Sequence, residues 1–303
     1  MTETSSRRPG ASLALALVIF VLFSSLAFAI YLIQHRIDET FGEYRSTEEV
    51  LYVENGDLLK KVLLGYESLA ADIYWLRAVQ YFGGKRLYAV DKRFDLLEPL
   101  LEITTDLDPH LKIAYRYGAI FLSEPWPRGA GLPIKGIALA DKGIANNPEH
   151  WRFYLDKGFI YYWHLQDYQE AARVFLEGSD IPGAPYWMAG TAARAATRGG
   201  DRETARILWR AIYESAENEQ VRDNANTHLQ QLDALDAIDE LTLIVEAFDE
   251  RTGHFPLSWN ELVTARLLAE IPVDPTGEAY VLNPRDKKVE LSEVSFLAGL
   301  PTR

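Results

Sequence analysis

The chain has 303 residues, 48% apolar and 25% charged, so it can bury a sizeable core and wholesale disorder is excluded. Its formal charge of −13 and pI near 5.0 argue against a nucleic-acid partner, because neutralising phosphates needs a basic surface. There are no cysteines, which excludes disulfides, thiolate metal ligands and cysteine nucleophiles.

Residues 1–10 are polar and carry Arg7 and Arg8 just ahead of an uncharged apolar run, Ala11 to Ile33. That run is long enough to cross a hydrocarbon layer of about 30 Å as a helix. Gln34, His35 and Arg36 end it. Ala27-Phe28-Ala29 would suit a signal-peptide cleavage site, but such peptides have an apolar core of only about 7–15 residues. This run continues past the site through Ile33. Arg7-Arg8 is followed by Pro9-Gly10 and not by the hydrophobic residue a twin-arginine signal favours. An uncleaved single-pass anchor is expected. Arg7 and Arg8 precede the span, whereas Asp38, Glu39 and Glu43 dilute the cations after it. The positive-inside rule then puts residues 1–10 in the cytoplasm and the body beyond the membrane, which in a bacterium is the periplasm.

Residues 34–57 read as a stalk or linker, with Asn55-Gly56-Asp57 as a turn signal. From Leu58 to Phe82 apolar residues recur every three or four positions, predicting a helix that Gly83-Gly84 breaks. A partner helix is expected over about Asp91–Thr105. The next pair spans Lys112–Leu122, with Ile113, Tyr117 and Phe121 on one face and Gly118 as a small contact residue, then Ile134–Asn146 after a long loop. A third pair has Trp151, Tyr154, Gly158 and Tyr161, then Ala171 and Phe175. A fourth has Tyr186, Gly190 and Ala193, then Ala205 and Trp209.

The third and fourth pairs are in register. The stretch Asp167–Phe175 aligns with Asp201–Trp209, so that Ala171 matches Ala205 and Phe175 matches Trp209, each thirty-four residues on. Large–small–large spacing, an Ala-x-x-x-aromatic pair and a closing proline resemble a tetratricopeptide-repeat (TPR) array, covering 58–217 in about four units. A single hairpin cannot bury its apolar face, so such units stack, and residues such as Gly158, Gly190, Ala171 and Ala205 permit close helix contact. The first two units depart from the thirty-four-residue register. The fold expected is mostly α: a right-handed helical-hairpin solenoid behind one transmembrane helix at 11–33, with a small α+β cap within 218–303.

That last segment begins with a helix predicted over Asn218–Arg251, striped by Leu229, Leu232, Leu235, Ile238, Leu241, Ile244, Val245 and Phe248. Ser258 and Glu261 suggest a capping box for a short helix reaching about Ala269. Tyr280-Val281-Leu282 and Val289-Glu290-Leu291 are expected to pair as a hairpin. The order Thr252-Gly253-His254-Phe255-Pro256, then Pro272-Val273-Asp274-Pro275-Thr276-Gly277-Glu278-Ala279-Tyr280, resembles the globular end of type II secretion pseudopilins. The processing site of that family does not precede the apolar run, and its glycine- and aspartate-bearing ending is missing, so neither pilin assembly nor its metal site is implied.

No chemistry is encoded in a recognisable motif. His35, His110, His150, His164, His228 and His254 form no metal-ligand spacing, and His110 and His150 follow or neighbour prolines at unit junctions as helix-start residues. No phosphate-binding loop or nucleophile elbow occurs, so the chain is expected to be no enzyme and to need no cofactor or metal. What remains is a groove. Counting from Gly118, Gly158 and Gly190, the non-core positions of the first helices are Tyr115, Leu155, Phe159, Tyr162, Trp187, Thr191 and Arg194. Aromatic side chains with a few polar ones suit an extended or helical peptide. Trp151, Tyr154, Tyr161 and Trp163 are expected between the helices instead. The function this implies is a membrane-anchored adaptor for other envelope proteins, with a secretion or pilus-type assembly suggested by the cap. The alternative is a periplasmic factor that handles a solute or glycan or supports an envelope enzyme.

Overall fold

The computed structural model describes the backbone of residues 9–41 and 56–298, and the side chains of residues 19–33, 35–36 and 59–298. The expected cytoplasmic N-terminus and most of the expected stalk lie outside the described residues. The chain divides into two compact units, Met1–Tyr52 and Val53–Arg303.

The first unit contains α1 (Pro9–Phe41), one continuous helix that includes the apolar run. Its described side chains from Ile19 to Ile33 are exposed on every face. Among the described residues no helix is long and apolar enough to cross a membrane, so the expected anchor finds no support there.

The second unit is mostly helical, with one two-stranded sheet among the described residues. After the short α2 (Gly56–Leu63), eight helices pair into four successive hairpins. These are α3 (Glu67–Leu87) with α4 (Leu97–Leu107), α5 (Lys112–Ser123) with α6 (Pro133–Asn146), α7 (Trp151–Phe159) with α8 (Tyr168–Ser179), and α9 (Trp187–Arg198) with α10 (Arg202–Ser215). Each hairpin also packs on the next, so every unit buries the face its neighbour could not bury alone.

The thirty-four-residue match is visible in detail. Asp167 and Asp201 both cap a second helix, accepting hydrogen bonds from the backbone N–H of Glu170 and Thr204, each at 3.0 Å. Such a cap contributes about 1 kcal/mol. Ala171, Ala205 and Phe175 are fully buried and Trp209 nearly so. Each buried aromatic of this size contributes roughly 2–3 kcal/mol. Phe175 lies against Gly158 and Trp209 against Gly190, so the small residue of each first helix receives the aromatic of its second. In the second hairpin the same place is filled by Leu139 against Gly118.

Three local expectations are corrected. Gly83-Gly84 does not end the third helix, which runs on to Leu87. Two glycines cost about 1 kcal/mol each within a helix. Phe82 offsets this by burying its ring 4.0 Å from that of Phe121. The break falls earlier, at Leu64-Gly65, both with positive φ. The core face of α5 is Ala114, Tyr115, Gly118, Ala119 and Leu122, while Ile113 and Tyr117 face outward. Finally, α7 continues as a π-helical turn, Ile160–Leu165, closed by Gln166 in the left-handed region. The wider turn shifts the face downstream. Trp163 is consequently 63% exposed and not between helices, whereas Trp151, Tyr154 and Tyr161 do pack on the core.

The long helix α11 (Glu219–Thr252) joins the hairpins to the cap. Its capping residue is Asn218, whose side chain accepts from Gln220 N–H at 2.8 Å. Its first half packs Ala225, Leu229 and Leu232 against α9 and α10. Arg202 and Arg206 of α10 reach Asp233, Asp236 and Asp239 across that seam. Its second half buries Leu241, Val245 and Phe248 with Trp259, Leu262, Tyr280 and Val289 of the cap. Helix α12 (Trp259–Thr264) is shorter than expected. The expected capping box does not form: the Ser258 side chain makes no cap bond, and Glu261 accepts instead from the N–H of Leu257, one residue ahead of the cap, at 3.1 Å. Strands β1 (Val281–Asn283) and β2 (Lys288–Glu290) pair antiparallel, with Val281 opposite Glu290 and Leu282 opposite Val289, forming the expected hairpin one residue nearer its turn.

Candidate functional site

The seven groove positions separate into two groups. Tyr115 is fully buried and cannot line a surface. Its hydroxyl donates to the Thr105 carbonyl and accepts from Asn146, both at 3.3 Å, and its ring meets Phe153 edge-on at 5.7 Å. Gly143 supplies the room, since a Cβ there would stand 3.1 Å from Tyr115 Cγ. Burial raises the phenol's pKa above its ordinary value. Leu155 is half-buried on the apolar core of the third and fourth hairpins. Phe159 is 38% exposed and sits edge-on to Phe175 at 5.2 Å. Burial thus decreases along the stack from Tyr115 through Leu155 to the equivalent Trp187, which is 41% exposed. Tyr115 is covered by α7, whereas the fourth hairpin is followed by α11 and not by another hairpin.

Trp187, Thr191 and Arg194 are brought together on α9. Thr191 Oγ1 donates to the Trp187 carbonyl at 3.1 Å and accepts from Arg194 Nη2 at 3.0 Å. Trp151 meets Trp187 edge-on at 6.1 Å. Tyr162 packs on the same core and holds Tyr168 at 5.1 Å, with Arg198 lying over both rings. A cleft of about 280 Å³ opens beside this cluster, walled by Tyr186, Trp187, Gly190 and Arg194 of α9 and its approach, and Trp209 and Ile212 of α10. The first turns of α11 complete it with Asn218, Gln220, Val221 and Asn224.

The electrostatics of the cleft centre on Arg194. Burial lowers its affinity for the proton, and no carboxylate among the described residues pairs with it. Beneath the cleft, His228 of α11 stacks on Trp209 with centroids 4.0 Å apart and planes 12° from parallel. Burial, with the nearby Arg194 charge, lowers the His228 pKa, while Gln231 Oε1 at 3.4 Å from Nδ1 works the other way. Trp209 Nε1 and Gln231 Nε2 are buried without hydrogen-bond partners. Such groups cost about 1–3 kcal/mol each when left unpaired.

The α11 contribution was missed by sequence reasoning. Asn218 was legible as the start of a helix, but its place across the fourth hairpin depends on how α11 packs on α10. Among the described residues no group of three or more His, Asp or Glu side chains could hold a metal ion. No family model matches the chain, and no curated protein or solved structure matches it.

Proposed function

We propose that this chain is a membrane-anchored, non-catalytic adaptor of the cell envelope that holds a segment of another protein in the α9–α10–α11 cleft. The observation that carries this reading is Arg194, a half-buried guanidinium with no carboxylate partner among the described residues, beside exposed Trp187 and Tyr186. Aromatic and arginine side chains in a concave site are the usual anchors of protein recognition. The paired hairpins support a right-handed TPR-like stack, and the long helix leading to a short hairpin supports the pseudopilin-like cap. A secretion or pilus-type assembly is the context that cap suggests. The uncharged run Ala11–Ile33 supports a single-pass inner-membrane anchor with the body on the periplasmic side.

The test places a photo-crosslinking residue at Trp187 in the full chain in native membranes, with and without Arg194→Glu. A discrete protein adduct that Arg194→Glu removes is expected. An adduct pattern indifferent to Arg194 would remove the cleft as the site. A second reading draws on the amides that α11 adds: Asn218, Gln220 and Asn224 facing Trp187 suit a solute or glycan. It predicts no protein adduct and a sugar- or solute-dependent change in tryptophan emission.

A further inference from the structure

We infer that the first hairpin carries a second, peripheral membrane contact: the outward face of α3 lies against an anionic bilayer surface. Helix α3 is 21 residues long. Its buried side is Ala70, Ala71, Tyr74, Ala78 and Phe82, which pack inward. The opposite side is also apolar. Leu69, Ile73 and Leu76 fall on one line at helical spacing, and each is more than half exposed. Leu87 continues that line at 68% exposure, and Tyr88 and Val90 just beyond it stand almost fully in solvent. A stripe of this length running open to water is unusual for a folded surface and marks an interaction site.

Charge selects the occupant. Between Leu58 and Arg93 there are seven Lys and Arg against three Asp and Glu, a net +4 in a chain of −13. Six of the seven cations gather towards the two ends of the stripe, Lys60 and Lys61 before α3, Lys85 and Arg86 in its last turn, and Lys92 and Arg93 after it, with Arg77 in the middle of the helix. Some are held locally: Arg86 bridges Glu124, Arg93 bridges Asp91, and Lys92 donates to the Lys85 and Arg86 carbonyls. These contacts fix the positive groups around Leu87, Tyr88 and Val90, and two carboxylates beyond that window, Glu124 on Arg86 and Asp95 at 4.0 Å from Arg93, offset part of the excess. The exposed face of α3 itself carries one carboxylate, Asp72. Tyr66 and Tyr88, both largely exposed, mark the two ends of the helix. An apolar stripe with tyrosines and cations at its ends is the arrangement of a helix lying in the headgroup–acyl boundary, its cations attracted to anionic phosphates. The hairpin is also the first of the second unit to follow the apolar run in sequence.

The absence of cysteine permits a clean test with the full chain. A polarity-sensitive fluorophore is attached at Leu76→Cys, Leu87→Cys, Phe23→Cys or Ile207→Cys, and the protein is reconstituted into phosphatidylcholine vesicles with or without phosphatidylglycerol. Leu76 and Leu87 labels should shift to the blue and be quenched by brominated lipid in the anionic vesicles. The shift should be smaller in pure phosphatidylcholine, with the Ile207 label on α10 unmoved. Aqueous emission from Leu76 and Leu87 in both lipids overturns the proposal. So does a shift that appears without lipid as protein concentration rises, which would assign the face to a second copy. The Phe23 label reports the anchor separately: if it inserts while Leu76 stays aqueous, the peripheral contact fails and the anchor stands.

Discussion

Gly158 on α7 lies so close to Phe175 on α8 that a Cβ at Gly158 would overlap the ring. Its counterpart Gly190 faces Trp209 at ordinary van der Waals range, 3.4 Å from an added Cβ to Cη2. Equivalent positions in sequence are therefore not equivalent in packing. Gly158→Ala should destabilise the chain by roughly 1–3 kcal/mol through overpacking. Gly190→Ala should be neutral or stabilising by up to about 1 kcal/mol, because alanine is the better helix former. Urea unfolding of the two variants separates these cases, and equal effects would contradict the packing described.

Arg116 on α5 grips Asp156 on α7 through Nε at 2.6 Å and Nη2 at 3.1 Å, linking adjacent hairpins. Burial holds the Asp156 carboxyl above its ordinary pKa, and Arg116 offsets only part of that. Arg116→Ala should cost roughly 3 kcal/mol at neutral pH, since the buried carboxylate then loses both hydrogen bonds to its cation and keeps only the more distant charge of Arg152. The folded pKa rises further, so the penalty is absent below the ordinary carboxylate pKa and appears as pH climbs above it. Denaturation at acidic and neutral pH should show the loss shrinking in acid. The double variant Arg116→Ala/Asp156→Ala should be less damaged than the single one.

His228 is the pH-sensitive group beneath the cleft. Its folded pKa is lowered by burial, so its contribution to stability is complete above the ordinary value of about 6.5 and declines as pH falls below it. Thermal unfolding between neutral and mildly acidic pH should show a decline on the order of 1 kcal/mol that His228→Gln removes. A slope unchanged in that variant would assign it elsewhere.

In the cap, Asp274 is buried and accepts hydrogen bonds from Thr276 N–H at 2.8 Å, Thr276 Oγ1 at 2.6 Å, Glu278 N–H at 3.1 Å and the Ser295 hydroxyl. Burial opposes ionisation, but these bonds together hold the carboxyl below its ordinary pKa. Its contribution is therefore full above the ordinary carboxylate value and is lost as pH falls through the depressed one. Asp274→Asn should destabilise the cap by about 2 kcal/mol. Faster amide exchange in β1 and β2, and altered emission from Trp259, whose Nε1 donates to the Tyr280 carbonyl at 2.7 Å, would register it. Unchanged exchange would show the turn to be held by other contacts.

Several features were legible because their causes are local. The aligned stretches Asp167–Phe175 and Asp201–Trp209 were read from the sequence, and the structure adds that both aspartates cap their helices, which needs only a side-chain oxygen within three residues of a free N–H. The thirty-four-residue register, the buried stripe of α11 and the pairing of the two strands follow from patterns within single segments. By itself, then, the amino-acid order determined the pairing of the helices into four hairpins, the matched Phe175 and Trp209, and the helix-then-hairpin order of the cap.

The tertiary structure alone decided which way ambiguous faces turn. Helices α3 and α5 are apolar on two sides, so spacing cannot say whether Tyr115 or Tyr117 goes inward; Gly143 on α6 leaves space for Tyr115 and settles it. Trp163 turned outward because a π-helical turn displaced it, and Gly83-Gly84 stayed helical because Phe82 was held by Phe94 and Phe121. The cleft likewise needed α11 to cross the fourth hairpin, bringing Asn218 and Asn224 to Trp187 and Arg194. Local signals act over three or four residues, whereas the choice of face and the making of a cleft depend on volumes supplied by segments far away in the chain.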